Sequence, residues 1–293
     1  MPPIVLALFS NISFATASLT FAEYSKKVSA SWMNYYKAVI ALICFSSACL
    51  LLNYYVPLSD KSIAFLCLSG SMGLFIGDIF LLKAFAHLGS GRVLMIFGFQ
   101  PLVLGAASFY LFGQDFPPAR LIAVLLLMGC LFTFSFESFR KKGHWDLPGL
   151  GFALLGVGLD AGGLLLTKAT FEMNPNLSAI YANVFRSGVA VLGFIILSQI
   201  PWMKLSLLEP LKKLNRKQKI KVTFASFLGT FFSLVLYLTA IKRGHLATVS
   251  AVAGTSPLFA TLFETITGKK KLTAYLLVGV GFFVSGFLVL TLT

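Results

Sequence analysis

The sequence predicts an all-α integral membrane protein: ten transmembrane helices built as two inverted five-helix repeats around a central cavity. Three observations carry this. Of the 293 residues, 57% are hydrophobic and only 12% charged, with a mean hydropathy of +0.87, whereas a soluble domain carries about 25% charged residues. Apolar runs of the roughly 20 residues needed to cross a bilayer recur along the chain, continuous rather than alternating, so they are helices and not barrel strands. The stretch 73–102, GLFIGDIFLLKAFAHLGSGRVLMIFGFQPL, returns 156 residues later at 229–258 as GTFFSLVLYLTAIKRGHLATVSAVAGTSPL. Gly73/Gly229, Phe75/Phe231, Leu82/Leu238, Ala84/Ala240, Val93/Val249, Gly98/Gly254, Pro101/Pro257 and Leu102/Leu258 are identical. The shared Gly and Pro weigh most, because they constrain backbone geometry rather than hydrophobicity.

In chain order the runs predict spans over 3–22, 31–52, 62–85, 92–112, 119–138, 149–170, 178–199, 220–241, 246–267 and 272–292. The first, beginning MPPIVLALFS, has no basic segment before it and no cleavage site, so it reads as a span and not a signal peptide. The repeat reaches further at an offset of 149, where Asn11 faces Asp160, Glu23 faces Glu172, Asn34 faces Asn183 and Lys37 faces Arg186. Residues 1–145 therefore form one five-helix unit and 146–293 the other. Five is odd, so the second unit enters the membrane from the opposite side, which makes the repeats inverted.

The connections are short except between spans seven and eight. There Leu205, Leu208, Leu211 and Leu214 recur among lysines, the pattern of a short amphipathic helix lying on anionic headgroups along 199–221. Sixteen of the Lys and Arg residues fall in odd-numbered connections, among them Arg92, 140–142, Lys204 and 269–271, against four in even-numbered ones. The positive-inside rule then places both termini outside the cytoplasm of a multi-pass cell (inner) membrane protein. The formal net charge of +14 has the same origin, and no aromatic–basic interleaving of a nucleic-acid surface accompanies it. Cys44, Cys49, Cys67 and Cys130 all lie in apolar runs without metal-ligand spacing and read as buried free thiols. No catalytic or cofactor motif is present, so neither an enzyme nor a metal or cofactor protein is expected.

Ionisable groups inside spans cost about 2.5–3.5 kcal/mol each on insertion scales, so they mark function or helix pinning. Lys37, Asp78, Lys83, Asp160, Lys168, Arg186 and Glu264 qualify. Asn34-x-x-Lys37 and Asn183-x-x-Arg186 each place an amide and a cation one turn apart, suited to a carboxylate or other anionic group. Tyr35 offers an aromatic wall and Gln100 a polar group beside a helix break. Asp160, whose mate Asn11 cannot ionise, is the candidate coupling acid and substrate partner, with Lys168 two turns on; Asp78 is a second coupling candidate, nearer to Lys83 and expected to pair with it. Gly73-x-x-x-Gly77 and Gly158-x-x-x-Gly162 have the spacing of close helix packing. Gly98 with Pro101 and Gly254 with Pro257 are matching bends, expected as hinges beside a binding site.

Together these features resemble the drug/metabolite transporter superfamily, EamA type, across the whole chain. The resemblance includes the Ala84-Phe-Ala-His-Leu-Gly89 turn after the third helix and the central proline of the fourth. It implies ten helices, inverted repeats and secondary transport of a small solute by alternating access, often outward. The pair Asp160 and Lys168 is similar to the first helix of four-helix multidrug-resistance relatives, where a glutamate takes protons and substrate. Two departures stand out: the family's Gly-Glu after the fourth and ninth helices reads Gly113-Gln114 and Gly268-Lys269 here, and many relatives keep both termini in the cytoplasm. The expected solute is an amino acid or related anion or zwitterion, with proton coupling and export among the expectations and a monomer or homodimer as the assembly. A lipid-handling or scramblase-like protein, gathering anionic lipid at the basic linker, is the alternative.

Overall fold

The computed structural model describes residues 1–88, 93, 96–115, 117–139, 146–200, 205–268 and 271–292. Arg92, 140–142, Lys204 and residues 269–270 of the basic connections lie outside the described residues. Every element among them is helical. We label the main helices α1 (Pro3–Lys27), α2 (Ala30–Leu52), α3 (Asp60–Leu88), α4 (Gln100–Phe112), α5 (Pro118–Phe139), α6 (Leu147–Met173), α7 (Ala179–Ser198), α8 (Arg216–Arg243), α9 (Leu246–Ile266) and α10 (Ala274–Leu292). Eight of these, all but α4 and α5, are long and apolar enough to cross a membrane; Gln100–Phe112 and Pro118–Thr133 are shorter apolar helices.

Local chemistry sets the ends. Prolines at the starts of α1, α4 and α6 have no N–H to leave unpaired in the first turn. Ser29, Ser59, Asp146 and Ser178 cap α2, α3, α6 and α7 through their side-chain oxygens. Asn215 and Gln218 form a reciprocal capping box at α8. Large apolar side chains such as Leu51, Tyr110, Ile196 and Leu277 stay exposed on the outside.

Each helix of the first half packs most extensively on one from the second: α1 on α8, α2 on α7, α3 on α6, α4 on α9 and α5 on α10. Two helices carry a wide, π-helical stretch in mid-course, Ser71–Ile76 in α3 and Phe227–Phe232 in α8. These stretches lie 156 residues apart, the same offset as the sequence repeat. Sequence reading had no signal for them, because a π-turn changes the hydrogen-bond partner and not the residue type.

The predicted bends are breaks instead. Gly98 and Phe99 form a turn, and a new helix begins at Gln100 with Pro101 in its first turn. Likewise α9 stops at Gly254 and restarts at Ser256 with Pro257 in the first turn. Each proline therefore sits where its missing N–H costs nothing, rather than inside a continuous kinked helix.

The long linker also departs from expectation. Among its described residues before α8 it forms one five-residue helix, Glu209–Lys213. Leu205 and Leu214 are buried against the ends of α1, α2 and α8, in a cluster with Tyr24, Trp32 and Val222, and the Trp32 indole N–H donates to the Leu207 carbonyl at 2.9 Å. With Leu211 packed against the same cluster, three of the four leucines are taken up by protein packing; Leu208 remains exposed.

Candidate functional site

The close approach of α3 to α6 and α7 builds the site. A Cβ added at Gly70 would run into the backbone of Arg186, and one at Gly163 would come 3.0 Å from the Ser69 carbonyl oxygen. These glycines let backbones touch where side chains would hold them apart. Of the predicted Gly158–Gly162 pair, Gly162 packs against Met72 of α3 while Gly158 faces open space; Gly156 and Gly163 also lie on the packing edge of α6. Gly73 does belong to the seam, and Gly77 packs beside Leu159.

Arg186 enters this seam fully buried. Its Nε donates to Ser69 Oγ at 3.0 Å and its Nη1 to Asn183 Oδ1 at 3.1 Å. The Asn183–Arg186 pair read from sequence therefore exists as a direct hydrogen bond. Ser69 Oγ donates to the Gly163 carbonyl at 2.6 Å and lies 2.6 Å from Thr167 Oγ1. The donor end of the Asn183 amide, its Nδ2, is buried without a hydrogen-bond partner.

Asp160 of α6 meets the break before α4: Gln100 Nε2 donates to Asp160 Oδ2 at 2.6 Å. Asp160 and Arg186 flank Gly73, where a Cβ would lie 3.3 Å from Asp160 Oδ1 and 3.6 Å from Arg186 Nη2. Tyr237 of α8, bonded to Ser250, lies within electrostatic reach of both. Asp78 of α3 lies within reach of Asp160 and of Lys37. Lys37, half-buried, stands 5.2 Å over the Phe21 ring. In the order Lys37, Asp78, Asp160, Arg186 two acids thus stand between two bases, and each acid has a base within reach.

A polar contact of related form occurs at the other break. Asn11 of α1 donates to the Val252 carbonyl at 2.9 Å and to Thr255 Oγ1 at 2.7 Å, and Ser256 donates to its Oδ1. Asn11 and Asp160 are the residues matched at the 149 offset, and Ser256 and Gln100 are matched at 156. One contact carries a carboxyl, the other only amide and hydroxyls.

Several predicted roles change. Lys168 does not turn to Asp160; it pairs with Glu172 at 2.8 Å and donates to the Lys242 carbonyl at 3.2 Å. Lys83 does not pair with Asp78; it is exposed, with its ammonium over the rings of Phe80 and Phe152. Tyr35 packs edge-on against Phe194 in the α2–α7 seam, while Asn34 is half-buried one turn before Lys37. Ser69, Thr167 and Tyr237 were missed, since small hydroxyls and aromatics are unremarked in apolar helices and only the seam brings them to charges.

The model of the EamA-like transporter family matches residues 1–136 and 142–292. An uncharacterized transporter of Archaeoglobus fulgidus is similar, at 23% identity over all of this chain and 99% of its own length. A WAT1-related chloroplastic protein of Arabidopsis thaliana is 22% identical over 68% of this chain and 48% of its own length. A solved crystal structure with 14% identity superposes with a TM-score of 0.81 over 99% of this chain and 96% of that one. The chain belongs to the EamA-like transporter family.

Proposed function

We propose that this protein is a secondary transporter of a small polar metabolite, an amino acid or related anion or zwitterion, working by alternating access. In this reading ten helices cross the membrane, and residues 1–145 and 146–293 are inverted repeats around a central polar site. Three features support the symmetry: the π-helical stretches one offset apart, the pairing of every first-half helix with a second-half helix, and the two matched contacts at the helix breaks.

The observation that carries the reading is the Gln100–Asp160–Arg186 cluster. It joins the α4 break to α6 and α7, so any motion at that break is felt by the carboxyl. Arg186, with the unspent Nδ2 of Asn183, offers donors of the kind a solute carboxylate takes when α3 moves off α7. Lys37 and Asn34 extend the same surface. Asp160, alone of the matched pair in being ionisable, is the coupling group, with the proton as its natural partner and Asp78 beside it. Gly98, Pro101, Gly254 and Pro257 are the hinges. Cell-membrane location, export and external termini belong to the same proposal. The lipid-handling alternative has less support, because linker leucines are spent on packing.

The test is transport by purified protein in liposomes, using labelled hits from a thermal-shift screen of amino acids and organic acids. Asp160→Asn is expected to abolish pH-dependent counterflow while expressing normally. An unchanged rate and pH profile would remove Asp160 from the mechanism.

A further inference from the structure

A second polar site lies away from the Asp160–Arg186 cluster, at the end of the bundle where α1 begins and α10 ends. A cavity of about 180 Å³ there is lined by Pro3, Arg120, Gly244, His245, Thr248 and Leu290, among others. Gly244 makes it possible: a Cβ there would come 2.6 Å from Pro3 Cβ. We propose that this cavity binds a small anion, a carboxylate of about the size of acetate, between Arg120 and the first turn of α9.

Four observations carry the proposal. Thr248 is 5% exposed, lines the cavity, and its Oγ1 is buried without a hydrogen-bond partner. The residue four before it, Gly244, is extended and outside the helix, so the hydroxyl has no helical carbonyl to bond and, beside a cavity, is a donor without an acceptor. Thr248 also stands in the first turn of α9, where unpaired backbone N–H groups and the helix dipole favour negative charge. The group that closes that turn is neutral: Gln114 Oε1 accepts from the Leu246 N–H at 3.1 Å, so no carboxylate of the protein occupies the position. Finally, Arg120 donates Nη1 to the Asp115 carbonyl at 2.8 Å, and guanidinium has further donors on its fork. A water occupies about 30 Å³ of liquid, so the cavity holds roughly six such volumes. That suits acetate with some water rather than a nucleotide or a sugar.

The site is independent of the transport mechanism above, and its test is direct binding. Acetate, and separately inorganic phosphate, are titrated into the purified full chain at constant ionic strength. Saturation-transfer NMR of the acetate methyl and thermal shift with either anion are the readouts. Acetate is expected to bind saturably, at least tenfold more weakly to Arg120→Gln and several-fold more weakly to Thr248→Val. Thr248→Val keeps the volume and removes an unpartnered hydroxyl, so it folds at least as well as the parent, and a lost anion there is not lost folding. Should Arg120→Gln misfold, Thr248→Val alone decides. Equal affinity of parent and Thr248→Val, phosphate binding as tight as acetate, or no saturable acetate binding each overturns the proposal.

Discussion

Arg186 and Lys37 are matched residues with unlike surroundings, and the difference is measurable. Removing Arg186 as Arg186→Ala strands Asp160 and takes the guanidinium away from Ser69 and Asn183 in a buried seam. Breaking such a buried pair costs about 3–5 kcal/mol, so the variant should melt far below the parent or fail to accumulate. Lys37→Ala loses a half-buried cation over Phe21, worth about 0.5–1 kcal/mol at such sites. It should fold with nearly the parent melting temperature. A second residue-scale effect concerns His245, in the α8–α9 connection. Burial, and then the nearby Arg120 charge, lower its pKa from 6.5 to about 4. Between those values the unfolded chain takes up a proton that the folded one refuses. The contribution is therefore full above pH 6.5 and is lost as pH falls toward 4. Melting curves of the parent and of His245→Asn across this window should converge on acidification. The motif Asn183-x-x-Arg186 was legible because both residues lie on one helix, a turn apart. The Lys168–Glu172 pair also lies about a turn apart on one helix, four residues rather than three, yet Lys168 was assigned to Asp160, since nothing along the chain ranks one acid above another.

At the scale of elements, α3 is the organising helix because its small residues admit α6 and α7. Gly70→Ala puts a methyl into the Arg186 backbone. Overpacking of this kind costs about 1–3 kcal/mol, and it should also move the guanidinium off Ser69. Gly158→Ala, facing open space on α6, should be neutral or stabilise by about 0.4–1 kcal/mol through the unfolded chain. Melting temperatures of the two variants separate packing glycines from permissive ones, and an equal loss in both would contradict the seam described here. A GxxxG spacing alone marked Gly158 as a packing residue, but spacing does not say which face of a helix meets a neighbour. The breaks in α4 and α9 were legible as weak points from Gly and Pro; that they are true interruptions follows from Pro101 and Pro257 sitting in first turns.

For the molecule as a whole, the ends of α1 and α8 are latched together. Glu23 accepts from Lys27 at 2.6 Å and from Lys221 at 2.7 Å, and Tyr36 and Thr223 share a 2.7 Å hydrogen bond nearby. The Glu23 pairs are exposed and screened by solvent, so each adds little stability and suits a contact that opens and closes. If alternating access parts these ends, joining them should stop transport without unfolding the protein. Glu23→Cys with Lys221→Cys, in a background lacking Cys44, Cys49, Cys67 and Cys130, should lose counterflow on crosslinking with a short thiol reagent and regain it on cleavage of the crosslink. Full activity of the crosslinked protein would show that the latch stays shut throughout the cycle.

The amino-acid sequence by itself determined that the chain is helical and lies in lipid, because hydropathy and run length are properties of consecutive residues. It also determined that the chain repeats, because Gly and Pro recur at a constant offset. It singled out Asp160, Arg186, Asn183 and Gln100 as costly in an apolar setting. Tertiary structure alone decided which of them meet. The Gln100–Asp160 bond, the Ser69 and Tyr237 contacts and the cavity beside Thr248 each join residues from different helices. Their distances depend on how closely backbones approach, and that is set by glycines whose facing partners are invisible along the chain.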